Sequence, residues 1–177
     1  MTAALVAVPA GEPLPGLAAV LDEGRRAALR ALLVRRATAW AEAVGDASVC
    51  DEDDLAGAIT RAGTGPLLIA GIGCPRLGPE HAAAALGDLA AGCDVTFGST
   101  LDGGWYLAGL REPRPELLAV TELRAGGIGA VLARGRELGA EVGLLRHERV
   151  LATPGDAVAL AADPLTPADV RAALSGA

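Results

Sequence analysis

The stretch Asp94-Val-Thr-Phe-Gly-Ser-Thr-Leu-Asp-Gly-Gly-Trp-Tyr-Leu-Ala-Gly-Leu110 reads as two strands joined around an acidic, glycine-rich turn. Val95, Phe97 and Ser99 alternate with Asp94, Thr96 and Gly98, the two-residue period of a strand, and Trp105 to Leu110 is a second run of strand formers. Between them, Asp102, Gly103 and Gly104 put a carboxylate on backbone that can take positive φ and approach a ligand closely, because glycine has no Cβ. A plain hairpin turn would account for Asp-Gly alone. What favours a ligand-facing turn is Trp105-Tyr106 directly after it, two of only four aromatic residues in the chain.

Outward from this unit the chain alternates between strands and helices. On the amino-terminal side, Ala3 to Val8 is a short buried strand, followed by a Pro/Gly-rich loop from Pro9 to Gly16. Gly24 to Val44 has helical periodicity, with Leu29, Leu32, Leu33, Ala37 and Trp40 on one face. A weak strand at Ala47 to Cys50 leads into the acidic run Asp51 to Asp54, which the spacing assigns to the cap and first turn of a helix reaching Ala62. Pro66 to Gly71 is uniformly apolar, as suits a parallel strand covered on both faces. A helix with proline at its start spans Pro79 to Ala91. Beyond the hairpin, helices are expected at Pro115 to Val120, Ile128 to Leu138, Pro154 to Ala162 and Pro167 to Leu174, with a strand at Glu141 to Leu145. This order predicts an α/β fold: one domain over residues 1–177, a mostly parallel twisted sheet with helices on both faces.

Composition narrows the function. The net charge of −7 excludes a nucleic-acid binder held by clustered basic residues. All 15 basic residues are arginine, so lysine-dependent P-loop or Schiff-base chemistry has no residue to perform it. No apolar run approaches the roughly 20 residues of a membrane span, and the start lacks a basic region before its apolar residues, so a cytoplasmic location is expected. Cys50, Cys74 and Cys93 have no Cys-x-x-Cys spacing, and His81 and His147 stand apart, so no resident metal site is read and surface or capping roles are assigned to the histidines. Pro75 and Arg76 break the dinucleotide spacing after Gly71-x-Gly73, and there is no Gly-x-Ser-x-Gly elbow.

The hairpin, together with Leu67-Leu-Ile-Ala-Gly-Ile-Gly-Cys-Pro-Arg-Leu-Gly-Pro-Glu-His81, resembles a bacterial family of glycosyltransferase-like proteins of the GT-A nucleotide-sugar-binding fold. That family is related to nucleotidyltransferases of molybdenum-cofactor and phospholactate-cofactor synthesis. Its pattern is similar to Gly-Ser-Asp-Cys-Pro-x-Leu-x-Pro, then Asp-x-x-x-Gly-Pro-x-x-Asp-Gly-Gly-Tyr-Tyr-Leu-x-Gly-Leu. The resemblance implies a ligand site at the carboxyl ends of the strands. Asp102 would be the catalytic acid or base at the acceptor, and Pro15, Gly16, Gly71, Gly73, Cys74, Pro75, Gly103, Gly104, Trp105 and Tyr106 would bind substrate. Mg or Mn would enter only with the donor.

The chain departs from the pattern where charge matters. The Pro9 to Gly16 loop has no basic residue, Gly73 stands where the family has aspartate, and Val150-Leu-Ala-Thr-Pro-Gly-Asp156 keeps only the last of three acids. An anionic ligand would then meet Glu12, Asp94 and Asp102, with Arg25, Arg26, Arg76 and Arg111 as candidate counter-charges. Two readings follow: a glycosyl- or nucleotidyl-transferase using a nucleotide-activated donor, or a non-catalytic relative that binds a small molecule or a partner. Under either, nucleotide or nucleotide-sugar binding is expected to be weak. Nothing in the pattern fixes the donor, the acceptor or the oligomeric state.

Overall fold

In the computed structural model the Asp94–Leu110 stretch forms the expected antiparallel hairpin, and it lies inside the sheet. The structure describes residues 2–9, 11, 13–101, 104–114, 117 and 127–175. Strands β1 (Ala3–Val8), β2 (Asp46–Asp51), β3 (Leu67–Gly71), β4 (Val95–Thr100), β5 (Trp105–Leu110) and β6 (Val142–Glu148) make one sheet in the order β2-β1-β3-β5-β4-β6. The β1–β2, β1–β3 and β4–β6 pairs are parallel, and β5 runs antiparallel to both of its neighbours, so five strands share one direction.

Helices α1 (Glu23–Val44), α2 (Leu55–Arg61), α3 (Pro79–Ala90), α4 (Gly127–Glu137), α5 (Pro154–Ala162) and α6 (Ala168–Leu174) complete the described elements. The sheet separates two apolar layers. On one side Leu29, Leu33 and Trp40 of α1, Leu89 of α3 and Leu160 of α5 pack on Leu68 and Leu107; on the other, Leu55 and Ile59 of α2 pack with Leu5, Ile69 and Phe97. Consecutive residues Leu67, Leu68 and Ile69 are all fully buried, facing alternate layers, which is why β3 reads as an unbroken apolar run. Each contributes about 1.5–3 kcal/mol through burial.

Expected boundaries hold closely for β1, β3, α3, α5 and α6. Helix α1 begins at Glu23, because the Asp22 side chain accepts a hydrogen bond from the Arg25 amide at 2.8 Å and so caps it. The acidic run differs from expectation: Asp51 ends β2, Glu52–Asp54 forms a 3₁₀ turn, and α2 starts only at Leu55. No side chain of this run caps the helix; Asp54 pairs instead with Arg61. Strand β6 continues three residues past the expected Leu145, because Arg146, His147 and Glu148 all find polar partners. The helix expected at Pro115 to Val120 falls outside the described residues, Leu117 excepted. Among the described residues no helix is long and apolar enough to cross a membrane.

Candidate functional site

All five parallel strands deliver their carboxyl ends to one edge of the sheet, where the segments that follow them enclose a cleft of about 410 Å³. Pro9, Leu14 and Pro15 come from the loop after β1, and Gly71, Ile72 and Gly73 from the end of β3. Thr100, Gly104, Trp105 and Tyr106 come from the hairpin, and Val150, Leu151 and Ala152 from the loop after β6. The walls are largely apolar. Arg30 and Glu52 are the charged residues among those described in the lining.

Glycines decide how closely these loops approach. A Cβ on Gly16 would lie 2.0 Å from the Ala152 carbonyl oxygen, so the loop after β1 can rest on the loop after β6 only with glycine there. The Leu151 amide donates to the Gly73 carbonyl at 2.8 Å, tying the β3 and β6 loops together. A Cβ at Gly71 would meet nothing within 4 Å, since that position faces open space. At Gly73 it would lie 3.5 Å from Val150 Cβ, an ordinary contact.

At the cleft end the pairing of β4 is irregular on both sides. Gly98 pairs with Leu107 but Ser99 pairs with Trp105, which leaves Tyr106 as an extra residue in β5. Across β4, Gly98 pairs with Leu145 and Thr100 with Glu148, which leaves an extra residue in β6 at Arg146–His147. Tyr106 links the two: its phenol crosses Gly98 and its hydroxyl donates to the Arg146 carbonyl at 3.1 Å. A Cβ on Gly98 would sit 2.6 Å from Tyr106 Cζ, so the crossing requires glycine. Tyr106 is therefore buried in the α1/α3 layer, its ring edge-on to His81 at 5.5 Å, and burial pushes its hydroxyl well above its usual ionisation range. Trp105, half-buried, packs toward the opposite layer.

The structure brings together Pro15, Gly71, Gly73, Gly104, Trp105 and Tyr106 in the lining. Gly16 supports the cleft from outside, and Cys74 and Pro75 are buried behind it. The Cys74 thiol is pushed up to about 12 by burial and by the neighbouring Glu148 carboxylate, which keeps it protonated. Asp102, Gly103 and Glu12 lie outside the described residues.

Two expectations about charge are corrected. Asp94 precedes β4 and so stands at the opposite end of the sheet, where it pairs with Arg111 and accepts from the Glu141 amide; neither Asp94 nor Arg111 faces the cleft. Arg76 is engaged by Asp163 at 3.2 Å and Glu148 at 3.9 Å. Arg25 donates to the carbonyls of Ala173 and Ser175. Of the four arginines considered, Arg26 reaches the loop after β1, donating to the Pro13 carbonyl. Arg30 of α1, which is not among those four, lines the cleft.

A buried polar network behind the cleft was also missed. The Gly78 amide donates to His81 Nδ1 at 3.0 Å, so His81 caps α3 as expected but from a buried position. Its Nε2 lies 3.2 Å from the buried Glu148 carboxylate and 3.0 Å from Arg146 Nη2. Arg146 Nε completes the arrangement, 2.8 Å from the same carboxylate. On the far side of the sheet the exposed His147 places Nδ1 2.6 Å from the buried Ser99 hydroxyl. Such pairings join residues 48 to 67 positions apart, and nothing local in the sequence signals them.

A six-stranded, mostly parallel sheet with a cleft at its carboxyl edge defines an α/β ligand-binding architecture. The model of a family described as an uncharacterized protein conserved in bacteria (DUF2064) matches residues 20–123, and the chain belongs to that family. A crystal structure from Desulfovibrio desulfuricans G20, provisionally described as a nucleotide-diphospho-sugar transferase, shares the fold with a TM-score of 0.78 at 18% sequence identity, over 98% of this chain and 94% of that one. No curated protein matches the sequence.

Proposed function

We propose that the protein is transferase-like and binds a nucleotide or nucleotide-activated donor in the cleft on a GT-A-type fold. The observation that carries this reading is the convergence of the β1 loop, the β3 loop and the Gly104-Trp105 hairpin on one cleft, in the positions the motif assigns to substrate. Asp102, on that same turn, is the acid or base at the acceptor in the catalytic form of this reading. A second reading, a small-molecule-binding relative without transfer activity, is favoured by the lining's charge: one arginine and one glutamate among its described residues.

The described residues do not fit a resident Mg²⁺ or Mn²⁺. Hard divalent cations need several oxygen ligands, carboxylates first among them, and Gly73 offers none. Among the described residues no group of three or more His, Cys, Asp or Glu side chains is disposed to hold a metal.

Isothermal titration with nucleosides, nucleotides and nucleotide sugars, with and without Mn²⁺, tests the reading. Binding weaker than about 1 μM and indifferent to Mn²⁺ is expected. Failure of every compound to bind would refute it, and turnover of any nucleotide sugar would decide for the enzyme.

A further inference from the structure

We infer that Arg30 sets the ligand class of the cleft, selecting a molecule with an apolar or aromatic body and a single acidic group, of which a nucleoside monophosphate is the type. This rests on the reading of the cleft as a nucleotide site and adds to it the residue that chooses among nucleotides.

Arg30 sits in the second turn of α1, between Leu29 and Leu33, which are both 1% exposed and fix the helix on the sheet. Its guanidinium Nη2 donates to the Pro9 carbonyl at 2.5 Å, so the head is held at the mouth of the loop after β1. Pro9 takes one edge of the fork, and the remaining N–H groups suit the paired oxygens of a carboxylate or phosphate.

The loop is poor in donors. Pro9, Pro13 and Pro15 have no N–H, while the Leu17 and Ala18 amides are spent on the Leu14 and Pro15 carbonyls. Among its described residues that leaves the Gly11, Leu14 and Gly16 amides, fewer than in the donor-rich loops that cradle phosphates. Ile72, Trp105, Val150 and Leu151 supply apolar wall for the body of the ligand. Glu52 is the carboxylate among the described lining residues, and its charge opposes a second negative group on a ligand. With one cation and one anion among the described lining residues, the cleft suits one acidic group better than two.

The test compares each nucleoside with its 5′-monophosphate and 5′-diphosphate by titration calorimetry without metal, on the wild type, Arg30→Gln and Arg30→Lys, with melting temperatures as a folding control. The monophosphate should bind about tenfold tighter than the nucleoside, the worth of one modest charge-assisted contact, and the diphosphate no tighter than the monophosphate. Arg30→Gln should bring the monophosphate down to the nucleoside's affinity without changing the latter, and Arg30→Lys should restore part of the preference. A diphosphate bound tenfold tighter than the monophosphate, or a preference that survives Arg30→Gln, overturns the inference. If Arg30→Gln does not fold, the wild-type series and its weakening with salt decide the question. Nucleosides binding with no phosphate preference would sink this inference and leave the cleft reading standing; no binding by any compound would sink both.

Discussion

Gly98→Ala is the substitution on which the architecture of the hairpin can be judged. In an ordinary strand, replacing glycine by alanine is favourable by about 0.5–1 kcal/mol, because the unfolded chain loses freedom. Here the added Cβ would stand 2.6 Å from Tyr106 Cζ and 2.9 Å from its hydroxyl oxygen. The ring has nowhere to go: Tyr106 is 1% exposed, lies edge-on to His81 and donates to the Arg146 carbonyl. Displacing it strains a packed layer, at about 1–3 kcal/mol, and strands a buried hydroxyl and carbonyl, at about 1–3 kcal/mol more. Less the intrinsic gain, the net loss should be about 1–5 kcal/mol, opposite in sign to that gain. In urea unfolding followed by tryptophan fluorescence, the smaller figure already moves the midpoint by about 0.5 M at a typical slope. Tyr106→Phe, which removes the hydroxyl and keeps the ring, should cost about 1 kcal/mol. In a Tyr106→Leu background the alanine should become close to neutral. A neutral Gly98→Ala in the wild type, or a cost unchanged by Tyr106→Leu, would refute the argument that the phenol bridges the two irregular strands over this glycine.

Three further outcomes follow from the same geometry. Gly73→Asp should fold normally, because its Cβ makes an ordinary 3.5 Å contact with Val150, and should gain a Mn²⁺-dependent rise in melting temperature that the wild type lacks; the same rise in both proteins contradicts the assignment of position 73. Cys74, protonated and buried, should stay unmodified by iodoacetamide at about pH 8 until the protein unfolds, and peptide mapping that finds it alkylated in the native state would disprove this. Burial raises Asp156, but the Thr153 hydroxyl, the Arg149 guanidinium and the Thr153 and Ala152 amides outweigh it and hold the carboxyl below its usual value. Its contribution is therefore complete above the unfolded-chain value of about 3.9 and drains as the pH falls through the lower folded one. Asp156→Ala should cost about 0.5–1 kcal/mol near neutrality and progressively less on acidification; an equal cost at both ends speaks against the pairing.

The sequence was legible where a residue's structural role depends on its neighbours in the chain. The apolar run of β3 announces a strand covered on both faces, and the period of Leu29, Leu33, Ala37 and Trp40 announces the buried stripe of α1. Asp102-Gly-Gly announces the hairpin that β4 and β5 do form. Legibility ends where a role depends on a distant partner. Arg146, His147 and Glu148 look like the end of a strand, and they continue it only because Glu148 meets His81 and Arg146, and His147 meets Ser99, across the fold. Arg30 looks like one more arginine on a charged helix until Pro9 is seen to hold it at the cleft. Asp94 looked like a cleft acid because the hairpin's two ends cannot be ordered in space from sequence alone. The edge strand and the helix face, where polar residues are usual, are where periodicity carries least information.

The motif positions that survive in this chain and those that have changed divide along a physical line. Gly16 and the hairpin residue Tyr106 are retained, and each is demanded by packing: Gly16 against the Ala152 carbonyl, Tyr106 across Gly98 to the Arg146 carbonyl. The basic residue of the first loop and the aspartate at position 73 are absent, and at position 73 packing does not demand glycine, since a Cβ there would make only an ordinary contact. A diphosphate left without counter-charge beside an acidic group at 4 Å faces about 4 kcal/mol of repulsion at the effective dielectric of a protein surface. That is about a thousandfold in affinity, more than apolar contact with Ile72 or Val150 readily offsets. Retention of this motif therefore reports the fold first and the chemistry second. The chemistry of this chain has then to be sought in residues that packing does not demand, in Asp102, which the motif contains, and in Arg30, which it does not.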